Sequence, residues 1–311
     1  MTANSRKAPQ MSAPHRVILD TDIGTDVDDL MALALILGSP SIELIGVTTV
    51  YGDTALRGRM TKRIAEIAGV TIPVHAGESA TLSGREVWWA GHEARLYDGL
   101  EAHELDGADA VGYLIDAVCA SPGTVDVLAI GPLTNIAAAI ERDPRFAPAV
   151  RHLWIMGGSF SDDKAEHNFQ SDTDAASVVF ASGIPTTVAG LDVTRLIEMG
   201  REALGRMSSS GPLGRVIEAE IVQWWEFWGT EWNVPHDPVT VLTLTQPGLF
   251  TFSPEGHVEI VSDGDDEGIS RFHVGEGHTR VVTGLDAHAV AEAIVEGISR
   301  ASFRAPAGEA R

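Results

Sequence analysis

Val17-Ile18-Leu19-Asp20-Thr21-Asp22-Ile23-Gly24-Thr25-Asp26-Val27-Asp28-Asp29 is the stretch on which the reading of this chain turns. Its aliphatic opening reads as a short buried strand, Arg16–Leu19, its Gly/Asp centre as a turn, and Asp28–Leu37 as the helix that follows. The same unit recurs outward. Strand Glu43–Val50 precedes a helix over Thr54–Ala68, and strand Val125–Ile130 breaks at Gly131-Pro132 before a helix over Thr134–Glu141. Strand Leu153–Met156 ends in Gly157-Gly158, and a helix over Ala175–Ala181 leads to strand Thr186–Ala189. Helical spacing fills Gly200 to Trp232, strands return near Val258–Val261 and Thr279–Val282, and Asp286–Arg300 closes with a helix. Such alternation predicts an α/β fold: an open, mostly parallel central sheet with helices on both faces.

No composition shift divides the 311 residues, so the expectation is one domain over 15–303, with a flexible leader (1–14) and a frayed tail (304–311). The balance of 22 Lys+Arg against 44 Asp+Glu gives a net charge of −22, which repels nucleic-acid phosphates and anionic membranes. The lysines are Lys7, Lys62 and Lys164 and the arginines are scattered, so no basic patch offsets this, and neither a nucleic-acid nor a membrane partner is expected. One cysteine, Cys119, excludes an internal disulfide or a multi-cysteine metal centre, and its apolar setting (Val111 to Ala120) makes it a small core residue. Apolar runs stay short of a membrane span, and the N-terminus lacks an apolar signal core, so a cytoplasmic location is expected.

The aspartates carry the chemistry. Asp20, Asp22, Asp26, Asp28 and Asp29 stand at the carboxyl end of a buried strand, the edge where open α/β sheets bind ligands. Helix capping would need one or two of them. A hard divalent cation with several oxygen ligands compensates the rest. An EF-hand loop counted from Asp20 would place Gly where Thr25 stands and Glu where Met31 stands, so it is excluded. A haloacid-dehalogenase-type phosphatase also begins Asp-x-Asp, and Asp263-Gly264-Asp265-Asp266 imitates its second acidic loop. The intervening lysines, Lys62 and Lys164, lack the strand-end context that chemistry needs.

The string resembles the longer N-terminal signature, Asp-Thr-Asp-Ile-Gly-x-Asp-x-Asp-Asp, of the inosine–uridine-preferring nucleoside hydrolases. Further resemblances follow in order: Val47 to Asp53, Ala129 to Ala137, Ile155 to Gly158, Glu166-His167-Asn168 with Asp172 to Ala175, and His236-Asp237-Pro238. They extend over roughly residues 16–300. The resemblance implies the Rossmann-like fold of that family and hydrolysis of the N-glycosidic bond of ribonucleosides to free base and ribose. It further implies a Ca²⁺ ion, a Ca²⁺-bound water deprotonated by an aspartate, and a homodimer or homotetramer. A phosphatase, and a non-catalytic ribose- or nucleoside-binding protein on the same fold, stand as alternatives.

Carried over residue by residue, Asp22, Asp29 and Asp237 would ligate Ca²⁺ with the main-chain carbonyl of Ile130. Asp28 would be the general base, with Asp26 the competitor if the two extra residues of the longer signature are placed differently. Asp20 would orient the loop. Glu166, Asn168, Met156 and Asp53 would meet the substrate, Asp53 standing where many relatives carry Asn. The loop Ser159 to Lys164 lacks an Asn that relatives use on the sugar. His236, with a neutral-range pKa, would protonate the leaving base. Trp224, Trp228 and Trp232 have helical spacing and read first as a packed face, with Trp232 nearest to reaching the base. His92 has no assigned role.

Overall fold

The computed structural model describes residues 13–302. Apart from Ala13 and Pro14, the expected leader and tail lie outside the described residues. The strands β1 (His15–Thr21), β2 (Ile42–Thr49), β3 (Val74–Ala76), β4 (Val125–Ala129), β5 (His152–Met156) and β6 (Thr186–Ala189) pair in parallel in the spatial order β3-β2-β1-β4-β5-β6. Thr279–Leu285 continues the parallel run beside β6, and antiparallel strands at Phe250–Phe252, Gly256–Ile260 and Ser270–Val274 complete a 10-stranded sheet.

The chain winds outward in both directions from β1, so β1 and β4 are neighbours whose following connections leave on opposite sides. A crevice opens at their carboxyl ends, the topological switch point of a doubly wound sheet. Both faces are covered. In β1, Val17 and Leu19 enter the core beneath helix α1 (Asp28–Gly38) and the last helix, Ala287–Ser302. Ile18 enters the opposite core with Val127, Ala129 and the helices Ala110–Cys119 and Thr134–Arg142. That is the period-two alternation of a strand buried on both sides.

Helix α1 is buried along its whole length, because it packs between the last helix and a second interior helix, His236–Thr245. The region Gly200 to Trp232 is two helices, Arg201–Ser208 and Pro212–Trp228, broken where Gly211 adopts φ +144° and Pro212 starts the second. Cys119 is half-buried at the edge of its core cluster, not inside it, because it ends its helix next to the turn at Ser121–Gly123. Among the described residues no helix is long and apolar enough to cross a membrane.

Candidate active site

β1 delivers the aspartate loop to the crevice, and the loop is held from below. Asp20, the last fully interior carboxylate of β1, accepts from Thr48 Oγ1 at 2.5 Å and from Asn135 Nδ2 at 2.7 Å. Burial pushes its pKa up to about 7. It does not line the cavity. Thr21 Oγ1 accepts from the Ile23 amide at 3.2 Å and donates to Asp29 Oδ1. Asp22 packs so closely against Gly131 that a Cβ there would lie 2.7 Å from Asp22 Oδ1.

Above the loop lies a cavity of about 670 Å³, within the range of small-molecule sites. Asp22, Asp26, Asp28, Asp29, Ile130, Met156, Glu166, Asn168, His236 and Asp237 all line it, so the crevice gathers most residues singled out in the sequence. Asp28 and Asp29 occupy the first turn of α1, and Asp237 the first turn of His236–Thr245. The two helix N-termini converge, and the Asp237 amide donates to Asp28 Oδ2 at 3.3 Å. Each helix presents its positive end to the carboxylates.

That is not enough to neutralise them. Carboxylate oxygens of Asp28, Asp29 and Asp237 lie within 4.8 Å of one another. All three pKa values are pushed well above the ordinary range, first by burial and then by the neighbouring aspartates. Asp26 is raised to about 7 for the same reasons. A set of hard oxygen donors crowded at one point fits a divalent cation, and Ile130 and Asp22 line the same cavity. Asp28, expected from the sequence as the general base, thus lies beside Asp29 and Asp237, two of the expected ligands, and Asp22 lines the same cavity.

The opposite wall comes from β5 and the helix that starts at His167. Glu166 caps that helix, accepting from the amides of Asn168 (2.8 Å), Gly158 (3.0 Å) and Phe169 (3.1 Å). Its burial raises its pKa against those three bonds. Asn168 Nδ2 donates to the carbonyls of Ile130 at 2.9 Å and Met156 at 3.2 Å. His236 Nδ1 and Thr194 Oγ1 share a hydrogen bond of 2.7 Å.

The His236 pKa is pushed down to about 4, by burial and then by the charge of Arg195. Two expectations are corrected. Asp53 caps helix α2 (Thr54–Ile67), accepting from Leu56 N at 2.9 Å; it is exposed and does not line the cavity. Trp232 does not continue the Trp224–Trp228 stripe, because the helix stops at Gly229, whose φ of +68° forms a left-handed cap. It sits instead on a short strand paired with Met199–Gly200, exposed and away from the cavity.

The aromatic wall is built from other residues. Trp224 and Trp228 line the cavity together with Trp88 and Tyr51. Trp88 lies on an irregular segment, 81–99, fastened where the amides of Leu82 and Ser83 donate to Asp172 at 2.8 and 3.0 Å. His92, buried on that segment, donates from Nε2 to the Thr25 carbonyl at 2.8 Å and sets its ring edge-on to Trp224 and Phe227. The adjacent tryptophans in Val87-Trp88-Trp89 were the sequence signal for this wall, but without a periodic element around them they carry no direction.

Comparison with known proteins agrees with this geometry. Residues 17–292 match the family described as inosine-uridine preferring nucleoside hydrolase. The chain is 30% identical over 289 residues to a probable uridine nucleosidase 1 of Oryza sativa subsp. japonica, covering 87% of this chain and 86% of that one. Among solved structures it is similar to a plant nucleoside hydrolase, PpNRh1, with TM-score 0.82, 29% identity and coverage of 92% and 99% of the two chains. A purine-preferring ribonucleoside hydrolase from Gardnerella vaginalis aligns with TM-score 0.83 and 25% identity, covering 93% and 100%.

Proposed function

Since the chain belongs to the inosine-uridine preferring nucleoside hydrolase family, it hydrolyses the N-glycosidic bond of ribonucleosides, and we propose that Asp22, Asp28, Asp29 and Asp237 with the Ile130 carbonyl do this around one divalent cation. The observation that carries the proposal is the convergence of three buried carboxylates within 4.8 Å on the wall of a cavity wide enough for a nucleoside. Hard, numerous oxygen donors suit Ca²⁺. When bound, the ion supplies Lewis acidity toward water and a template for the vicinal hydroxyls of the ribose.

The remaining steps fall to the chain. Asp28 accepts the proton of the attacking water as positive charge develops on the sugar ring. Glu166, fixed by three amides, accepts from a sugar hydroxyl, and Asn168 and Met156 bound the same subsite. The base lies against Trp88, Trp224 and Trp228. His236, neutral at pH 7, donates a hydrogen bond to the departing base and does not act as an imidazolium acid. On this reading the enzyme is one α/β domain over 15–303, cytoplasmic, and a homodimer or homotetramer as the family resemblance implies.

The test is a panel of inosine, adenosine, guanosine, uridine and cytidine followed by chromatography, with and without chelator. Release of free base that chelator abolishes and CaCl₂ restores is expected. Tight nucleoside binding with no base released over hours would overturn catalysis and leave a binding protein.

A further inference from the structure

Arg57, in α2, is among the most deeply buried side chains, with 1% exposure, and it does not line the cavity. Its Nε donates to the Tyr51 carbonyl at 2.7 Å. Nη1 donates to the carbonyls of Asp22 and of Ile23, the latter at 2.9 Å, and both Nη atoms lie 3.2 Å from Thr25 Oγ1. The Trp89 ring covers the guanidinium with its centroid 4.8 Å away. Every hydrogen-bond acceptor of this charge is thus a main-chain carbonyl or a hydroxyl.

An interior cation without an ion-pair partner is costly unless the surrounding charge repays it. Here the aspartate loop is that surrounding charge. Because the guanidinium grips the loop through its carbonyls, the carboxylate oxygens are left free for a cation, whereas a direct ion pair would compete for them. Arg57 also spans both halves of the site. Tyr51, whose carbonyl it holds, sits at φ +68°, a strained conformation for a non-glycine residue, and its hydroxyl accepts from the Trp88 amide at 2.8 Å. Thr25 donates onward to Glu93 Oε1 at 3.2 Å, and Glu93 accepts from the amides of Ala90 and Gly91 at 2.7 Å each. Through His92, Thr25 is further tied to Trp224.

We propose that Arg57 is a positioning residue for the reaction: its guanidinium presets the cation-binding loop at Asp22–Thr25 and locks the aromatic wall of the cavity to that loop. The inference rests on the reading that the loop holds a divalent cation. It is tested on full-length, chelator-stripped protein by calorimetric titration with CaCl₂ and by kcat and KM on an accepted nucleoside. In Arg57→Met, Ca²⁺ affinity falls by about tenfold or more and KM rises, the scale expected for residues that orient metal ligands. Arg57→Lys keeps the charge without the planar fork and recovers only part of both. Wild-type affinity and KM in either folded variant overturn the inference. If neither variant folds, Thr25→Val, which removes one acceptor of the fork together with the hydroxyl's bond to Glu93, decides by the same readouts: weaker Ca²⁺ binding with raised KM supports it, and unchanged values overturn it. A wild-type protein that binds no Ca²⁺ overturns the site reading itself, which separates the two failures.

Discussion

The side-chain amide of Asn168 donates to the main-chain carbonyl of Ile130 at 2.9 Å. The bond links a residue proposed to meet the sugar to an oxygen proposed to face the cation. Asn168→Ala should lower kcat/KM by about tenfold or more and also weaken Ca²⁺ binding, as loss of a ligand-orienting bond does. Titration of the variant with CaCl₂ checks the second effect, and unchanged affinity would confine Asn168 to the sugar.

Purified without chelator, the protein should carry about one divalent ion per chain, readable by elemental analysis. Gly131→Ala should reduce that occupancy, because the added Cβ would lie 2.7 Å from Asp22 Oδ1 and must displace it. Saturating CaCl₂ should raise the melting temperature of the wild type by several degrees and of the variant by less, since a ligand that binds only the folded state stabilises it by mass action.

Asp28→Ala should depress turnover by about 10²–10⁴-fold on natural nucleosides and on p-nitrophenyl riboside alike, since the attacking water must lose its proton whichever leaving group departs. Asp26→Ala should cost less. A dead Asp26 variant beside an active Asp28 variant would transfer the base role to Asp26.

Trp228→Ala should raise KM for nucleosides severalfold while leaving Ca²⁺ affinity unchanged, because it removes a face of the cavity and nothing from the aspartate loop. Trp232→Ala, on its strand outside the cavity, should leave KM as it was. Steady-state kinetics on the two variants side by side tests the placement of the aromatic wall.

His152, remote from the cavity, is pushed down to about 4 by burial beside Trp154, with its Nε2 2.9 Å from Thr187 Oγ1. The unfolded chain then binds a proton that the folded one refuses between about pH 6.5 and 4, so stability is lost as pH falls through that window. The loss is at most about 3–4 kcal/mol, reached only below the folded-state value. Denaturant melts of His152→Gln should show a shallower decline from pH 7 to pH 5 than the wild type. Parallel declines would mean that the ring is not the group responsible.

The alternation of strands and helices was legible because β1, β2, β4, β5 and β6 are short aliphatic runs closed by Gly, Asp or Pro. The aspartate loop was legible because so many like charges beside a buried strand have few physical excuses. His236–Thr245 was not read as a helix: Val239 to Thr245 alternates β-branched and aliphatic residues, and its interior position overrides that pattern. The aromatic wall was hidden for two reasons. Trp232 keeps the helical spacing of Trp224 and Trp228 across a left-handed glycine that ends the helix. Trp88 rides on a segment whose course is set by distant partners, Asp172, Tyr51 and Thr25, and not by its own periodicity.

The cavity draws its two ends from different provinces of the molecule. Its aspartate end is made of sheet-edge residues and the first turns of two interior helices, where small changes disturb the packed core. Its aromatic end is made of an irregular segment and the outward side of one helix, whose inward side (Leu213, Ile217, Ile221 and Trp225) is part of the core. On the proposed function, substitutions at the aromatic end change which base is accepted and leave the aspartate end as it is. A uridine nucleosidase and a purine-preferring hydrolase both resemble this chain, as that division of labour allows. Such a molecule inherits its reaction and acquires its diet.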